Sequence, residues 1–507
     1  MPSTPRKRAL AGQPAPVCQV RPVRSPHRNV PAWLLALVLL AALFPAPSQA
    51  QNTSPVDFAA QKYAAPGEAS ARAASPAPEP DAVVLDMQAS VSRALQTNPQ
   101  IESAKAQLRG AAAGEKSAAG ALGPSGNVSA SGQSQQIKTQ FRYPLPPAGA
   151  SILNVAPSST ANSGALDLNI HQNLFAGFKL LSNYQKAALA KESAEAGVSA
   201  AELKLVNFVQ QTFLSLLKAR ADVKSAEDSV ARLTDQLKVS QDFFDVGLKA
   251  QLDVLQNQTA LASAEQTLLA AQNDVLTQTA QLNVSVGFPL QQDVGYAGEL
   301  TQTPFAMDLA RCLDLAYQNR PDLAVAVKSV EIAAKDARIA VSGLYPQAAA
   351  DLDFISNANR SSINSDLGNY DGQLWQAKLS MQWTPWDNGA TYFAYAQAVE
   401  NVKKIYADMV KLRLDIGFQV KSSFLNIQSA AKRIGVAKTG LEAAKENYRL
   451  AVDRYQAQVG ASLDVLNGQA QMTQAESDLS KALADYLTAL SNLYAASGVK
   501  NPGLNPG

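Results

Sequence analysis

The sequence predicts an α+β fold with an internal two-fold repeat, in which very long coiled-coil helices carry a few short strands. Three observations predict it: motifs that recur at a constant offset, proline-free heptad stretches, and four segments of period-two patterning. Leu252-Asp253-Val254-Leu255 returns as Leu463-Asp464-Val465-Leu466, an offset of 211 that also carries Phe213-Leu214 onto Phe424-Leu425 and Gly287 onto Gly498. Upstream the offset becomes 222 and carries Ala94 onto Ala316, Gln96 onto Gln318, Pro99 onto Pro321 and Pro124 onto Pro346. A duplicated chain is built from two similar units. The change of offset places an insertion of about 11 residues between Pro124 and Phe175, where an exposed loop is expected.

Residues 1–50 read as an export signal. Arg6, Lys7, Arg8, Arg21, Arg24 and Arg28 precede an apolar run from Ala32 to Phe44, which is too short to span a bilayer. Ser48-Gln49-Ala50 supplies small residues for cleavage after Ala50, with a buried helix as the alternative. Residues 51–81 are rich in Pro, Ala and Ser and are expected to be a flexible segment. The first repeat then runs over 82–288, a linker over 289–306, the second repeat over 307–498 and a tail over 499–507.

The formal charge of +2 misleads, because six of the 44 basic residues lie in 1–50 and no acidic residue does. The remainder holds 38 Lys/Arg against 42 Asp/Glu, which is no nucleic-acid footprint. Cys18 leaves with the signal, so Cys312 has no intrachain partner. His27 leaves as well. One His and one Cys far apart make a zinc site or a Cys–His nucleophile improbable. No Walker-type phosphate loop is present. No cofactor, metal or enzyme chemistry is expected.

No proline occurs from Ser158 to Phe288 or from Trp386 to Asn501, which permits very long helices. One heptad series is Val209, Leu216, Val223, Val230, Leu237, Phe244, with Val420, Ile427, Ile434, Leu441, Tyr448, Tyr455 as its counterpart. A second is Val254, Leu261, Leu268, Val275, Leu282, matched by Val465, Met472, Leu479, Tyr486, Leu493. Sustained heptads mean coiled-coil packing. Positions three further along are often small, as at Ala219, Ala226, Ala430 and Ala437. The seams break at Gly247–Leu252 and Val459–Leu463, where Gly247 and Gly460 are expected to supply the positive φ of a reversal. A first helix from about Lys179 to Asp245 would be roughly 100 Å long, a rod suited to bridging a wide aqueous gap.

Strands are expected at Gly126–Gly132, Ala165–Phe175, Gln347–Ser356 and Gln376–Trp386. Two of these reach the roughly 9–11 residues that cross a bilayer as a tilted strand. Their apolar-out, polar-in alternation is the transmembrane-barrel pattern, although a soluble sheet with one wet face has the same period. Four strands cannot close a barrel, so in a membrane several chains would have to share one. His171 falls among the alternating residues and is expected to be a lumen-facing wall residue. Trp383, Trp386, Phe175 and Phe178 could form an interfacial aromatic belt.

Together these features resemble the TolC family of outer-membrane factors, from about Leu85 to Gly498. The residues that carry the resemblance are Ala94-Leu95-x-x-Asn98-Pro99, Phe243-x-x-x-Gly247-Leu248-x-Ala250-x-x-Asp253-Val254, and Tyr455 with Asp464-Val465-Leu466. The resemblance implies a homotrimer with a twelve-stranded barrel in outer-membrane lipid and a periplasmic barrel of twelve helices. It implies a passive export channel of a tripartite efflux or type I secretion system. A periplasmic adaptor and an inner-membrane ABC or proton-driven pump would dock at the helical turns, here Gly247, Leu248, Ala250, Gly460 and Ala461. It also implies a gate at Asp464, Asp253 and Tyr455, with Tyr455 bonded to Asp253 and Asp464 in an acidic ring. The family's link Arg is Gly460 here and its second ring Asp is Asn467, so fewer closing links are expected. The copies differ at Lys249 against Gly460 and Phe244 against Tyr455, mismatches that point to the gate. Two readings remain open: Asp253 and Asp464 as plain helix N-caps, and the whole chain as an adhesin-like coiled-coil stalk of the cell surface.

Overall fold

The computed structural model describes residues 84–138, 141–143, 153–155, 158–290, 292, 294–361 and 370–504. The expected signal at 1–50 and flexible segment at 51–81 lie outside the described residues. In chain order the elements are β1 (Val84–Leu85), α1 (Met87–Thr97), α2 (Pro99–Gly120), β2 (Ser125–Lys138), β3 (Phe141–Tyr143), β4 (Leu153–Val155) and β5 (Ser158–Ala176). There follow α3 (Lys179–Asp245), α4 (Gln251–Val286), β6 (Gly295–Tyr296), α5 (Leu309–Asn319) and α6 (Pro321–Val341). The chain continues with β7 (Gln347–Ser361), β8 (Tyr370–Gln382), α7 (Ala390–Gln456) and α8 (Ser462–Ala496). No described helix is long and apolar enough to cross a membrane.

α3 and α7 are each 67 residues, so each rod is roughly 100 Å long. Both start after residues with positive φ, Phe178 at 67° and Gly389 at 81°, which turn the chain sharply from strand into rod. The returning helices α4 and α8 have 36 and 35 residues and pack antiparallel on their rods. The Val420, Ile427, Ile434, Leu441 series of α7 is buried, and Tyr455 closes it with no exposed surface. α3 departs from the expected seam. Val209 and Leu216 are buried, but Phe244 is 37% exposed. Burial passes to the small-residue series Ala219, Ala226, Leu233, Ser240, still at seven-residue spacing. The reason is that α3 lies between α4 and α8, and meets α8 through polar pairs. Arg232 Nε donates to Gln469 Oε1 at 2.9 Å, Ser225 Oγ to Glu476 at 2.7 Å, and Ser477 Oγ to Asp222 at 3.1 Å.

The apolar core sits where the short helices α1 and α5 clasp the rods. One cluster joins Val91, Ala94, Leu205, Val209, Phe213 and Leu282. The other joins Cys312, Ala316, Ile416, Val420, Tyr486, Leu490 and Leu493. Each large aliphatic buried there contributes roughly 1.5–3 kcal/mol. The Ala94-x-x-x-Asn98-Pro99 string has a mechanical meaning here. Ala94 is fully buried, Asn98 caps α2 by accepting from Gln100 N at 2.9 Å, and its Nδ2 donates to Ser285 O at 3.0 Å. Pro99 occupies the first helical position, where no N–H is required. Gly498 has φ +72°, and a Cβ there would stand 2.8 Å from the Asn319 carbonyl carbon, so glycine is needed where α8 ends against α5.

β2, β5, β7 and β8 form one antiparallel sheet in that order. The strands have 14, 19, 15 and 13 residues, longer than their sequence pattern. The interval between Pro124 and Phe175, where an exposed loop is expected, is largely strand and also holds the small β3–β4 hairpin. Residues 139–140, 144–152 and 156–157 of that interval lie outside the described residues. The pattern understated the strands because their outer ends are Ser, Thr, Gln and Asn, which carry no alternation but still complete the ladder. β8 ends at Gln382 rather than Trp386, because its partner β7 begins at Gln347 and the next register position, Pro346 opposite Trp383, has no N–H to give.

Register sorts the faces. Val128, Leu168, Phe354 and Trp375 form one cross-strand row, and Ala350 and Leu379 belong to the same face. Asn127, Asn169, Asp353 and Gln376 form a row on the other face, beside Ser125, His171, Asp351 and Lys378. Trp375, Leu379 and Met381 are 69%, 74% and 72% exposed, an apolar face open to its surroundings. The His171 and Asp351 side chains on the polar face are 36% and 18% exposed, covering one another as a hydrogen-bonded pair.

Candidate functional site

The sequence-predicted residues converge at the end of the rods furthest along the chain from the sheet. α3 ends at Asp245 and turns through Gly247 at φ 74°. α7 ends at Gln456 and turns through Gln458 at φ 68°, so the left-handed residue of the second reversal is Gln458 and not Gly460. Gly460 serves another need: a Cβ there would lie 3.1 Å from Arg454 backbone. The N-caps of α4 and α8 are Ala250 and Ala461, neither with a capping side chain. Asp253 and Asp464 are thus not N-caps. Each is the third helical residue, where a carboxylate complements the positive end of the helix dipole. Leu252 and Leu463, expected in the turns, already belong to the returning helices.

Asp253 and Asp464 differ in surroundings. Asp464 is exposed, while Asp253 is half-buried beside Tyr455. The Tyr455 hydroxyl is buried, and its approach to Asp253 and Ser462 falls short of good hydrogen-bond geometry. Burial pushes the Tyr455 hydroxyl up to about 12, with the Asp253 charge adding to the shift and Ser462 opposing it. Its ring lies 5.7 Å from that of Phe243.

Besides this ring contact, two polar links among the described residues join the α3–α4 hairpin to the α7–α8 hairpin at this end. Lys249 Nζ donates to the Gly460 carbonyl at 3.2 Å and sits 5.2 Å from the Tyr455 ring centroid. Asn257 Nδ2 donates to Ser462 Oγ at 2.9 Å and to the Asp253 carbonyl at 2.8 Å, in a fully buried position. Sequence reasoning marked Lys249 only as a mismatch between copies, quoted Phe243 only as part of a motif, and missed Asn257 and Ser462. The available signal was a polar Asn within an otherwise small and apolar seam, opposite Gly468 at the 211 offset. The turns also expose apolar side chains: Val246 at 68%, Leu248 at 52% and Val459 at 70%.

Fold and site define a class: a subunit whose four-stranded sheet, apolar on one face, is carried on two long helical hairpins that meet at their turns through Lys249, Tyr455 and Asn257. The chain belongs to the outer membrane efflux protein family, whose description matches residues 90–287 and 312–499. It is a TolC-like outer-membrane factor, located in the outer membrane and extending into the periplasm. Curated relatives include the alkaline protease secretion protein AprF of Pseudomonas aeruginosa, 23% identical over 66% of this chain and 69% of the relative. The probable efflux pump outer membrane protein TtgC of Pseudomonas putida is 23% identical over 74% of this chain and 75% of its own length. Among solved structures, VceC of Vibrio cholerae superposes with a TM-score of 0.68 at 18% identity, covering 82% of this chain and 97% of that one. CmeC of Campylobacter jejuni gives 0.69 at 15% identity, with 82% and 86% covered. The family match selects the efflux channel over the adhesin-like stalk.

Proposed function

We propose that three copies of this chain close into one passive export duct, with a twelve-stranded barrel in the outer membrane and a twelve-helix barrel in the periplasm. The observation that carries this reading is the open sheet. Its apolar face is made for lipid, yet β2 and β8 leave unpaired edges, which hydrocarbon does not tolerate. Neighbouring copies satisfy both edges. The rods support the same arrangement. Leu269 and Leu276 on α4, and Phe418, Leu425 and Val436 on α7, are between 52% and 74% exposed and need partners. The internal duplication then supplies two hairpin rods per chain.

In this reading the Lys249, Asn257 and Tyr455 contacts hold the mouth narrow, and Asp464 contributes one carboxylate per chain to a ring that favours cations. The apolar turn residues around Gly247, Leu248, Ala250, Gly460 and Ala461 receive a periplasmic adaptor. Energy comes from an inner-membrane ABC or proton-driven pump. The cargo is either a secreted protein, as the name of AprF states for that relative, or a compound expelled by an efflux pump, the role that the name of TtgC gives that relative.

The test is native mass determination of the purified chain with planar-bilayer recording. A trimer that dissociates on heating and gives discrete conductance steps is expected. A stable monomer without conductance would overturn the reading.

A further inference from the structure

We infer that the polar face of the sheet is a second, pH-dependent charge filter, with His171 as its titrating element. The inference rests on the proposed trimer. His171 Nδ1 lies 2.6 Å from Asp351 Oδ1. Lys378 stands opposite Asp351 across the next strand pair. Asn169 Nδ2 donates to Asp353 Oδ1, and Asp167 keeps a buried oxygen with no partner. These residues come from β5, β7 and β8. β2 contributes only Ser125, Asn127 and Ser129 to the adjoining positions. Each chain therefore carries three carboxylates against one ammonium and one imidazole within three rungs of one polar face.

With His171 neutral the patch is net negative by two charges per chain, and protonation halves that. Three copies place the patch around the lumen as a belt, far along the duct from the Asp464 ring. Cation preference therefore falls as pH falls through the imidazole range. The ordinary carboxylate range lies below that window. The belt acts across a wide lumen, so its effect is large near 0.01 M salt, where the Debye length is roughly 30 Å, and small near 1 M, where it is about 3 Å.

The experiment is the reversal potential of the full trimer under a potassium chloride gradient, from about pH 8 to about pH 5. Cation preference is expected to drop over this range at low salt. His171→Gln should abolish the drop and Asp464→Asn should leave it in place. His171→Asn serves as a second variant, and heat-dissociable trimer on a gel shows that both variants assemble. An unchanged drop in assembled His171→Gln trimers, or a flat profile in the wild type, overturns the inference. Absence of any conductance would instead defeat the channel reading on which it rests.

Discussion

Replacing Lys249 by Met removes the ammonium but keeps an unbranched apolar stem over Tyr455. The lost charge-assisted bond to the Gly460 carbonyl is worth about 1.5 kcal/mol, the lower end for a charged donor, because Lys249 is half-exposed. The lost cation–π contact at 5.2 Å adds about 0.5 kcal/mol. About 2 kcal/mol per chain becomes about 6 kcal/mol in a trimer if the three sites are independent, and about half that if salt screens them. At 1.4 kcal/mol per tenfold, the balance between narrow and open mouths should shift by about 10² to 10⁴. Single-channel recording measures it as the fraction of time in the high-conductance state, with Lys249→Arg as the charge-preserving control. An assembled Lys249→Met trimer whose open fraction matches the wild type would refute the assignment of Lys249 as a lock.

Asp464→Asn should lower cation selectivity in the same recordings at every pH, and unchanged selectivity would remove Asp464 from the pore. Tyr455→Phe deletes a buried hydroxyl whose approach to Asp253 and Ser462 falls short of good hydrogen-bond geometry, so melting should move little at neutral pH. The wild-type hydroxyl is raised from its ordinary value of 10 to about 12, so its contribution is whole below about pH 10 and is lost as pH rises through about 12. An alkaline melting series should show that loss in the wild type and not in the Phe variant. Gly498→Ala should destabilise by about 2–4 kcal/mol, combining a left-handed backbone with a Cβ pressed on Asn319. Gly440→Ala, within α7 with no atom near its Cβ, should be neutral or stabilising by up to about 1 kcal/mol, and a melting curve of each variant separates them.

Much of this architecture was legible because its determinants are periodic. Proline-free heptads placed the first rod at Lys179–Asp245, and the structure has the same bounds. The seam of α3 was misjudged because it must satisfy two neighbours, and a single-stripe pattern cannot reveal which stripe meets which helix. Strand lengths were understated because backbone ladders continue through Ser158–Gly164 without any side-chain alternation. At the tip, Tyr455 and Asp253 were found, but the contacts of Lys249 and Asn257 run between hairpins roughly two hundred residues apart, at |i−j| of 211 and 205. Local pattern carries no information about such pairs. Gln458 shows the same limit: glycine at 460 drew attention from a glutamine that adopts φ 68°.

The equal length of α3 and α7 makes the two rods a matched pair of rulers. In the proposed trimer, three chains would present six turns at one height, a level rim for the proposed docking partner to seal against. A residue gained or lost in one rod alone would rotate its seam by about 100° and lift one turn out of the plane by about 1.5 Å. Lengthening of this duct is therefore restricted to concerted steps of whole heptads, entered in both rods and in both returning helices at once. A variant with seven residues added to all four helices should still seal, whereas seven added to α3 alone should leak.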